Sequence, residues 1–550
     1  MLKEAFALHT QGKFAEAEHA YAELIRRQPG NFQALHLYGV LALQRGQTER
    51  GIELLRQALK LEPRQPLAHR DLGNALQQLR RFEEALASYD KALALKSDLA
   101  DAHNNRGIAL AGLHRLDEAL TSYGRAIALK PDYAQAYNNR GTVLADQKRA
   151  AEALADFNQA IALDPFYAKA LNSRAGVLAE LGRHEEALQD HDRAISCHPE
   201  IADSHDKRGN VLIVLGRARE ALESYDRAIA RDPSLYSAHD GRGTALAMLG
   251  RPQDALESHD RALALDPNSA VAHNNRGAAL AALRRPAEAL AAHDRALALD
   301  PSSAAAHSNR GSALALLDRQ EEGLKSLERA LALKPDLIQA HTNRGNFLTD
   351  LKRYDEALAG FDRAIAVHPQ SAEAHFGKSL VLLVRGQFED AWPHYEWRKR
   401  RVAEGSFHAL GRPTWTGKEN IAGKTLFIEA EQGLGDTIQF CRYASMAADL
   451  GAHVILTAQA ALARLLESFD PRIEILAVPA LPDAFDYHIA LLSLPQAFGT
   501  SLRTIPATIP YLHAEPERTA QMRTRIGGNG FKIGVCWQGS YIAGVRSFPL

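Results

Sequence analysis

The 550-residue chain is short of cysteine, methionine and tryptophan, with 3, 4 and 4 of them. Cys197, Cys441 and Cys536 are odd in number and widely scattered, which argues against a disulfide framework and suits free thiols in a reducing compartment. Excess charge of either sign is also missing. A formal net charge of −1 and a pI near 7.1 leave no basic stripe of the kind a general nucleic-acid binder carries. No apolar run reaches the roughly 18 residues of a membrane-spanning helix. Met1 to Phe14 holds Lys3, Glu4 and Lys13 where a secretory signal would need an apolar core. These absences predict a cytoplasmic protein with no membrane span and no nucleic-acid partner.

What is present is a period of 34 residues, running from the first residue to about residue 405. Gly39, Gly73, Gly107, Gly141, Gly209, Gly243, Gly277, Gly311 and Gly345 fall on one grid, with Ala5, Ala175 and Ser379 at the remaining nodes. Twelve places on is a second small residue (Ala17, Ala85, Ala119, Ala153 and their equivalents), and four further on is usually a ring, as at Tyr21, Tyr89, Tyr123, Phe157, Tyr225, Phe361 and Tyr395. A proline closes most units, among them Pro131, Pro165, Pro233 and Pro335. This grammar resembles the tetratricopeptide repeat.

The physics leads to the same architecture. Segments such as Leu86 to Leu95 and Leu120 to Leu129 place apolar residues at helical spacing, and small residues on both helices let their backbones approach closely. Each unit reads as a helical hairpin. Gly12, Gly46, Gly182, Gly216, Gly250 and Gly386 fall between the two helices, where a left-handed cap favours a residue without Cβ. One hairpin cannot bury both faces, so about twelve of them must stack into an all-α superhelix.

Histidine is abundant, with 23 residues, yet His69, His103, His205, His239, His273, His307, His341 and His375 share one repeat position. Adjacent members are a whole repeat apart, so they line the solenoid and predict helix packing, not a metal site. Asn105, Asn139, Asn275, Asn309 and Asn343 lie two residues before the node, on the helix that faces the concave surface in tetratricopeptide solenoids. A ladder of amides there can bond an extended peptide backbone; equally, these residues can simply cap or solvate the groove. Peptide-binding glycosyltransferases with tetratricopeptide superhelices are similar at this position, with an Asn-Asn pair like Asn104-Asn105 and Asn274-Asn275. Here Ser173, Lys207 and Gly241 interrupt the ladder, and Arg106, Arg140, Arg276 and Arg310 stand where leucine is usual.

After residue 391 the pattern changes. Trp392 to Trp415 holds three tryptophans and the basic run Arg398 to Arg401, followed by Gly405, Gly411 and Pro413, as at a domain junction. The run could hold phosphate or form a solvated last helical turn. Strands are predicted at Lys424 to Ala430, His453 to Thr457, Ile473 to Val478 and Tyr487 to Leu492, with helices at Thr437 to Leu450 and Ala460 to Phe469. Such alternation predicts an α/β region with a parallel sheet. Gly433-Leu434-Gly435 at a helix start suits an anion or ligand, since free N–H groups point outward there. Ile438 replaces the third glycine of a dinucleotide fingerprint, and no ATP-type phosphate loop occurs.

The string Glu429 to Tyr443 resembles the glycosyltransferase domain that follows tetratricopeptide repeats in many bacterial proteins, itself similar to ADP-heptose heptosyltransferases. The resemblance continues through Leu491 to Pro495, Ile505 to Tyr511, Ile533 to Gly539 and Arg546 to Leu550. It implies the Rossmann-like, acceptor-side half of a GT-B fold. The matching aspartate, Asp436, would be the general base, and Gly433, Leu434, Gly435 and Thr437 would form the ligand turn. It further implies a nucleotide-sugar donor as substrate and no cofactor. Domains are expected at 1–405 (solenoid), 406–530 (acceptor-side half) and 531–550 (start of a second Rossmann-like domain). About 20 residues of that second domain are far fewer than the roughly 100 such a domain needs, so the donor site is mostly missing. Two functions follow: a hexosyl- or heptosyl-transferase whose solenoid recruits a protein acceptor, incomplete here and inactive alone, or a non-enzymatic scaffold with a vestigial α/β cap. Sequence leaves the oligomeric state open.

Overall fold

A computed structural model describes residues 1–401, 411–431, 433–507, 511–512 and 516–526. The chain divides into two compact units, Met1–Arg285 and Pro286–Leu550.

In the first unit, antiparallel helix pairs follow one another: Leu2–Thr10 with Phe14–Arg27, Ala100–Gly112 with Leu116–Leu129, Tyr236–Met248 with Pro252–Leu265, and five more between them. The node is small because a ring rests on it. A Cβ added to Gly73, Gly107 or Gly209 would come within 2.6 Å of the ring of Tyr89, Tyr123 or Tyr225, each 16 residues on. Those rings are buried with Ala85, Ala119 and Ala221 around them. Second helices stop where proline approaches: Lys130, Asp164 and Asp232 precede Pro131, Pro165 and Pro233, and pre-proline crowding holds them near φ −136°.

Between the helices the chain turns through one left-handed residue. Glycine takes it at Gly12, Gly46, Gly182, Gly216, Gly250 and Gly386, with φ of 72–75°. Arg80, His114, Lys148, Arg284, Asp318 and Lys352 take the same place without glycine, at φ 58–62°. The loop geometry is therefore set by packing of the hairpin, and glycine only eases it.

The second unit opens with the helix Pro286–Leu299 and three further hairpins, ending in Ala372–Val384 with Phe388–Tyr395 and a 3-10 turn, Glu396–Arg400. Four parallel strands follow: β1 (Thr425–Glu429), β2 (His453–Ala458), β3 (Ile473–Ala477) and β4 (Tyr487–Ala490), in the order β3-β2-β1-β4. Phe427 of β1 stands between Ile455 and His488. Leu426, Phe427 and Ile428 are all fully buried, as in a parallel strand covered on both faces. The expected helix Thr437 to Leu450 is instead two, Leu434–Phe440 and Arg442–Asp449, separated at the buried Cys441. The expected strands are present, each trimmed by one or two residues except β2, which extends to Ala458. Residues 531–550, Cys536 and the segments matching Ile533 to Gly539 and Arg546 to Leu550 lie outside the described residues. No described helix is long and apolar enough to cross a membrane.

Candidate functional sites

The histidine column acts within each repeat. Nε2 of His69, His103, His205, His239, His273, His307, His341 and His375 lies 2.8–3.2 Å from the carbonyl oxygen six residues earlier, that of Pro63, Ser97, Pro199, Pro233, Pro267, Pro301, Pro335 and Pro369. The ring ties the start of one hairpin to a carbonyl of the preceding loop, a proline carbonyl in every case but Ser97. Burial holds His103, His205 and His307 below the ordinary histidine pKa, which keeps their rings neutral. Among the described residues no cluster of three or more metal-ligating side chains occurs.

The asparagines are half-buried and joined between repeats. Asn105 Nδ2 donates to Asn74 Oδ1 at 2.9 Å, Asn104 Nδ2 to Asn105 Oδ1 at 3.0 Å, and Asn139 Nδ2 to Asn104 Oδ1 at 3.1 Å. Tyr89 Oη closes this chain on Asn74 at 2.9 Å. Asn275 donates to Asp240 at 3.0 Å and Asn343 to Ser312 at 2.9 Å, while Asn309 is also partnered. Asn105, Asn139, Asn275 and Asn343 therefore link neighbouring repeats, and the oxygens of Asn74, Asn104 and Asn105 are already in use. These bonds leave the second N–H of Asn105 and, at Asn139, the second N–H and the amide oxygen.

The arginine column stands out in the sequence, but the partners it clamps do not. Arg106 donates from Nε to Asp90 at 2.7 Å and from Nη1 to Ser122 at 2.6 Å. Asp90 is 16 residues earlier, on the second helix of the preceding repeat; Ser122 is 16 later, on its own second helix. Arg208, Arg242 and Arg310 repeat this with Asp192 and Ser224, Asp226 and Ser258, and Asp294 and Ser326. At Arg140 and Arg174 the earlier residue is Gly124 or Asn158, and the acid moves to the later position. Asp156 and Asp190 each take two guanidinium bonds there, at 2.6–2.7 Å. The acid changes side, and each of these arginines keeps one carboxylate. The spacing of 16 on either side was the available signal.

In the α/β part, the sheet order reverses direction at β1, so the loops after β1 and β4 part and leave a crevice at their carboxyl ends. Arg398 fills it. Its Nη2 donates to Glu431 Oε1 at 2.6 Å and Ser493 Oγ at 2.9 Å, its Nε to Glu431 Oε2 at 3.1 Å, and its Nη1 to Glu396 Oε1 at 2.8 Å. Glu431 also accepts the Leu492 N–H at 2.9 Å. Arg398 is 3% exposed, so it is neither the solvated turn nor the phosphate ligand that the basic run suggested. Burial opposes ionisation of Glu396, but Arg398 and Lys399 beside it hold its carboxyl below the ordinary value. Trp392 adds a bond from Nε1 to the Thr500 carbonyl at 2.7 Å, fastening the last hairpin to the sheet region.

Asp436 stands five residues beyond the clamped Glu431, in the first turn of Leu434–Phe440. Gly433, not Asp436, is the N-cap; Asp436 Oδ2 reaches back to accept the Gly433 N–H at 3.0 Å. Leu434 and Gly435 are exposed, whereas Thr437 is buried and donates to Gln459 Oε1 at 2.9 Å. Tyr395, the ring of the last hairpin, is held above its ordinary pKa by burial, with Arg398 opposing and the carboxylates of Glu431 and Asp436 adding to the rise. Asp436 thus shares its surroundings with the end of the repeat array, while the five asparagines belong to first helices of separate repeats.

Comparison with known proteins agrees with the hairpin geometry. The tetratricopeptide repeat model matches residues 2–66, 39–100, 104–168, 207–270, 274–338 and 343–396, and a second tetratricopeptide repeat model matches 166–232. Among curated proteins, Protein FlbA of Caulobacter vibrioides is 26% identical over 185 residues, 29% of this chain. The match spans only 30% of the length of FlbA. Of solved structures, the APC/C hetero-tetramer Cut9-Hcn1 matches over 73% of this chain and 93% of that one, at 15% identity and a TM-score of 0.44. MamA matches over 30% and 96%, at 25% identity and a TM-score of 0.29. The repeat models together cover more than half of the sequence, on the same hairpins whose nodes, rings and prolines define the period, and the chain belongs to the tetratricopeptide repeat family.

Proposed function

We propose that the repeat array, residues 1–405, holds an extended segment of a partner polypeptide along its first helices, using Asn105, Asn139, Asn275, Asn309 and Asn343. Proteins of this family bind peptides and proteins, and stacked repeats offer long surfaces for doing so. The observation that carries the reading is the linked amide chain. It holds Asn105 and Asn139 in place, leaving one N–H of each, and the Asn139 oxygen, to meet a peptide backbone. Each such bond contributes about 1 kcal/mol net, so one alanine substitution weakens binding mildly and all five abolish it. Retained binding of an immobilised peptide array by the fivefold variant, with its melting unchanged, would sink the proposal. A reducing, cytoplasmic setting accords with the free Cys197 and Cys441.

A second reading concerns residues 406–530 as the acceptor-side half of a sugar transferase, with 531–550 opening its donor half. The support is the placement of Asp436 in the first turn after β1, beside the crevice where α/β sheets take ligands. Asp436 would accept the acceptor hydroxyl proton as a nucleotide sugar is attacked, with Gly433, Leu434, Gly435 and Thr437 shaping the turn. The competing reading is a scaffold in which Asp436 only braces the helix start. Asp436→Asn separates them, because asparagine can still accept the Gly433 N–H but cannot take a proton. In transfer assays with a nucleotide-sugar donor, loss of transfer by about 10²-fold at unchanged melting temperature supports the base; full transfer by the variant removes it.

A further inference from the structure

Five arginine clamps follow one rule, from which Arg140 departs; Arg276, with Ala292 sixteen residues on, keeps its carboxylate, Asp260. Arg106, Arg208, Arg242 and Arg310 each bind one carboxylate through Nε and one neutral oxygen, a serine hydroxyl, through Nη1. Arg174 does the same with a different oxygen: Asp190 takes Nε and Nη2, and the amide oxygen of Asn158 takes Nη1 at 2.6 Å. Arg140 has its carboxylate, Asp156, on Nε and Nη2 at 2.7 Å. Its Nη1 has no acceptor among the described residues, because the place of Asn158 is taken by Gly124.

Gly124 is not there for packing. It lies inside the helix Leu116–Leu129, and a Cβ added to it would meet only Arg140 Nη1, at 4.0 Å. The node glycines of the same array differ sharply, since Gly107 would clash with Tyr123 at 2.6 Å. A glycine in a helix interior weakens the helix, and here no close approach compensates. Beside it lies a cleft of about 550 Å³ bordered by Leu120, Thr121, Leu144 and Ala155; the equivalent cleft of the next repeat, about 290 Å³, has Asn158 and Gln189 in the places of Gly124 and Ala155.

We propose that this cleft binds the side-chain amide of an asparagine or glutamine on a partner protein, whose carbonyl oxygen completes the Arg140 clamp as Asn158 completes that of Arg174. The charge present selects a neutral group. Arg140 is already matched by Asp156, and Arg149 at the rim by Glu152 through two bonds at 2.8 Å, so a carboxylate would enter with no cation left to meet it. Leu120, Leu144 and Ala155 provide an apolar wall for the methylenes of the incoming side chain. This site lies between second helices and is independent of the asparagine column.

The test uses the full chain with ¹⁵N-labelled arginine, titrated with N-acetyl-glutamine methylamide and, separately, with the glutamate and norvaline analogues. The expected result is a saturable shift of the Arg140 guanidinium signals by the glutamine compound, at least tenfold weaker with either analogue. Gly124→Asn fills the cleft with the chain's own amide and abolishes the shift, while its melting curve verifies that it folds. No shift up to the solubility limit, an equal or larger response to the glutamate compound, or an undiminished response in folded Gly124→Asn would each overturn the proposal.

Discussion

At the residue scale, the left-handed loop positions carry a reserve of stability. Arg80, His114 and Lys148 adopt φ near +60°, where an L side chain crowds its own backbone, and six sister loops show that glycine fits the same turn. Relief of that crowding exceeds the extra freedom glycine gains in the unfolded chain, so Arg80→Gly, His114→Gly and Lys148→Gly should each stabilise by about 0.5–1 kcal/mol. Urea midpoints of the single and triple variants will show it, and the three effects should add because the sites are a repeat apart. Asn138 shows what a broken pairing looks like. Asn172 meets the Nδ1 of His191 at 2.8 Å, but 19 residues beyond Asn138 stands Phe157, and both polar atoms of the Asn138 side chain are buried without a partner.

At the element scale, the last hairpin and the sheet are held together by a buried ion pair. Arg398 and Glu431 are 3% and 8% exposed, and truncating one leaves the other charged and unpaired in the interior. Arg398→Met should therefore weaken this region by about 3–5 kcal/mol while the preceding hairpins, which depend on their neighbours, keep their own stability. Hydrogen exchange checks it: amide protection in Thr425–Glu429 and Tyr487–Ala490 should fall by roughly two orders of magnitude or more, with that of Leu116–Leu129 unchanged. Hairpins, nodes and loop positions were legible in the sequence because they recur at a fixed period, and strands because short apolar runs bounded by turns have few alternatives. Arg398 was not, since four adjacent basic residues look alike in a string and only the fold selects one for burial. The arginine clamps escaped for a related reason: their acids alternate between two positions, so neither column alone repeats. The strand order was equally hidden, because nothing in a strand's own residues names its neighbour.

At the scale of the whole molecule, buried neutral histidines make the array sensitive to acid. Burial, with Lys207 adding to it at His191, lowers His191 and His293 from the ordinary 6.5 to about 4. In the unfolded chain both protonate near 6.5, so below that pH the unfolded state binds more protons than the folded one. Stability should then be lost as pH falls from about 6.5 to about 4, by up to about 1.4 kcal/mol per pH unit for each ring, and level off below. His191→Phe, which places there the ring found at Phe157, should cost stability at neutral pH yet flatten this slope; an unchanged slope from denaturant melts at pH 7 and 5 would remove His191 from the account.

The alternating acids of the clamps bear on how such an array can be inherited. Units of equal length invite recombination in phase, in which one repeat is lost without shifting the rest. Loss of residues 91–124 would keep every helix in frame but set Arg140 between Asp90 and Asp156, two carboxylates for one guanidinium. Loss of 159–192 would leave Arg208 between Asn158 and Ser224, with none. Loss of 125–158, by contrast, would leave Arg174 between Gly124 and Asp190 with its single carboxylate, so the clamps restrict which in-phase losses the array tolerates.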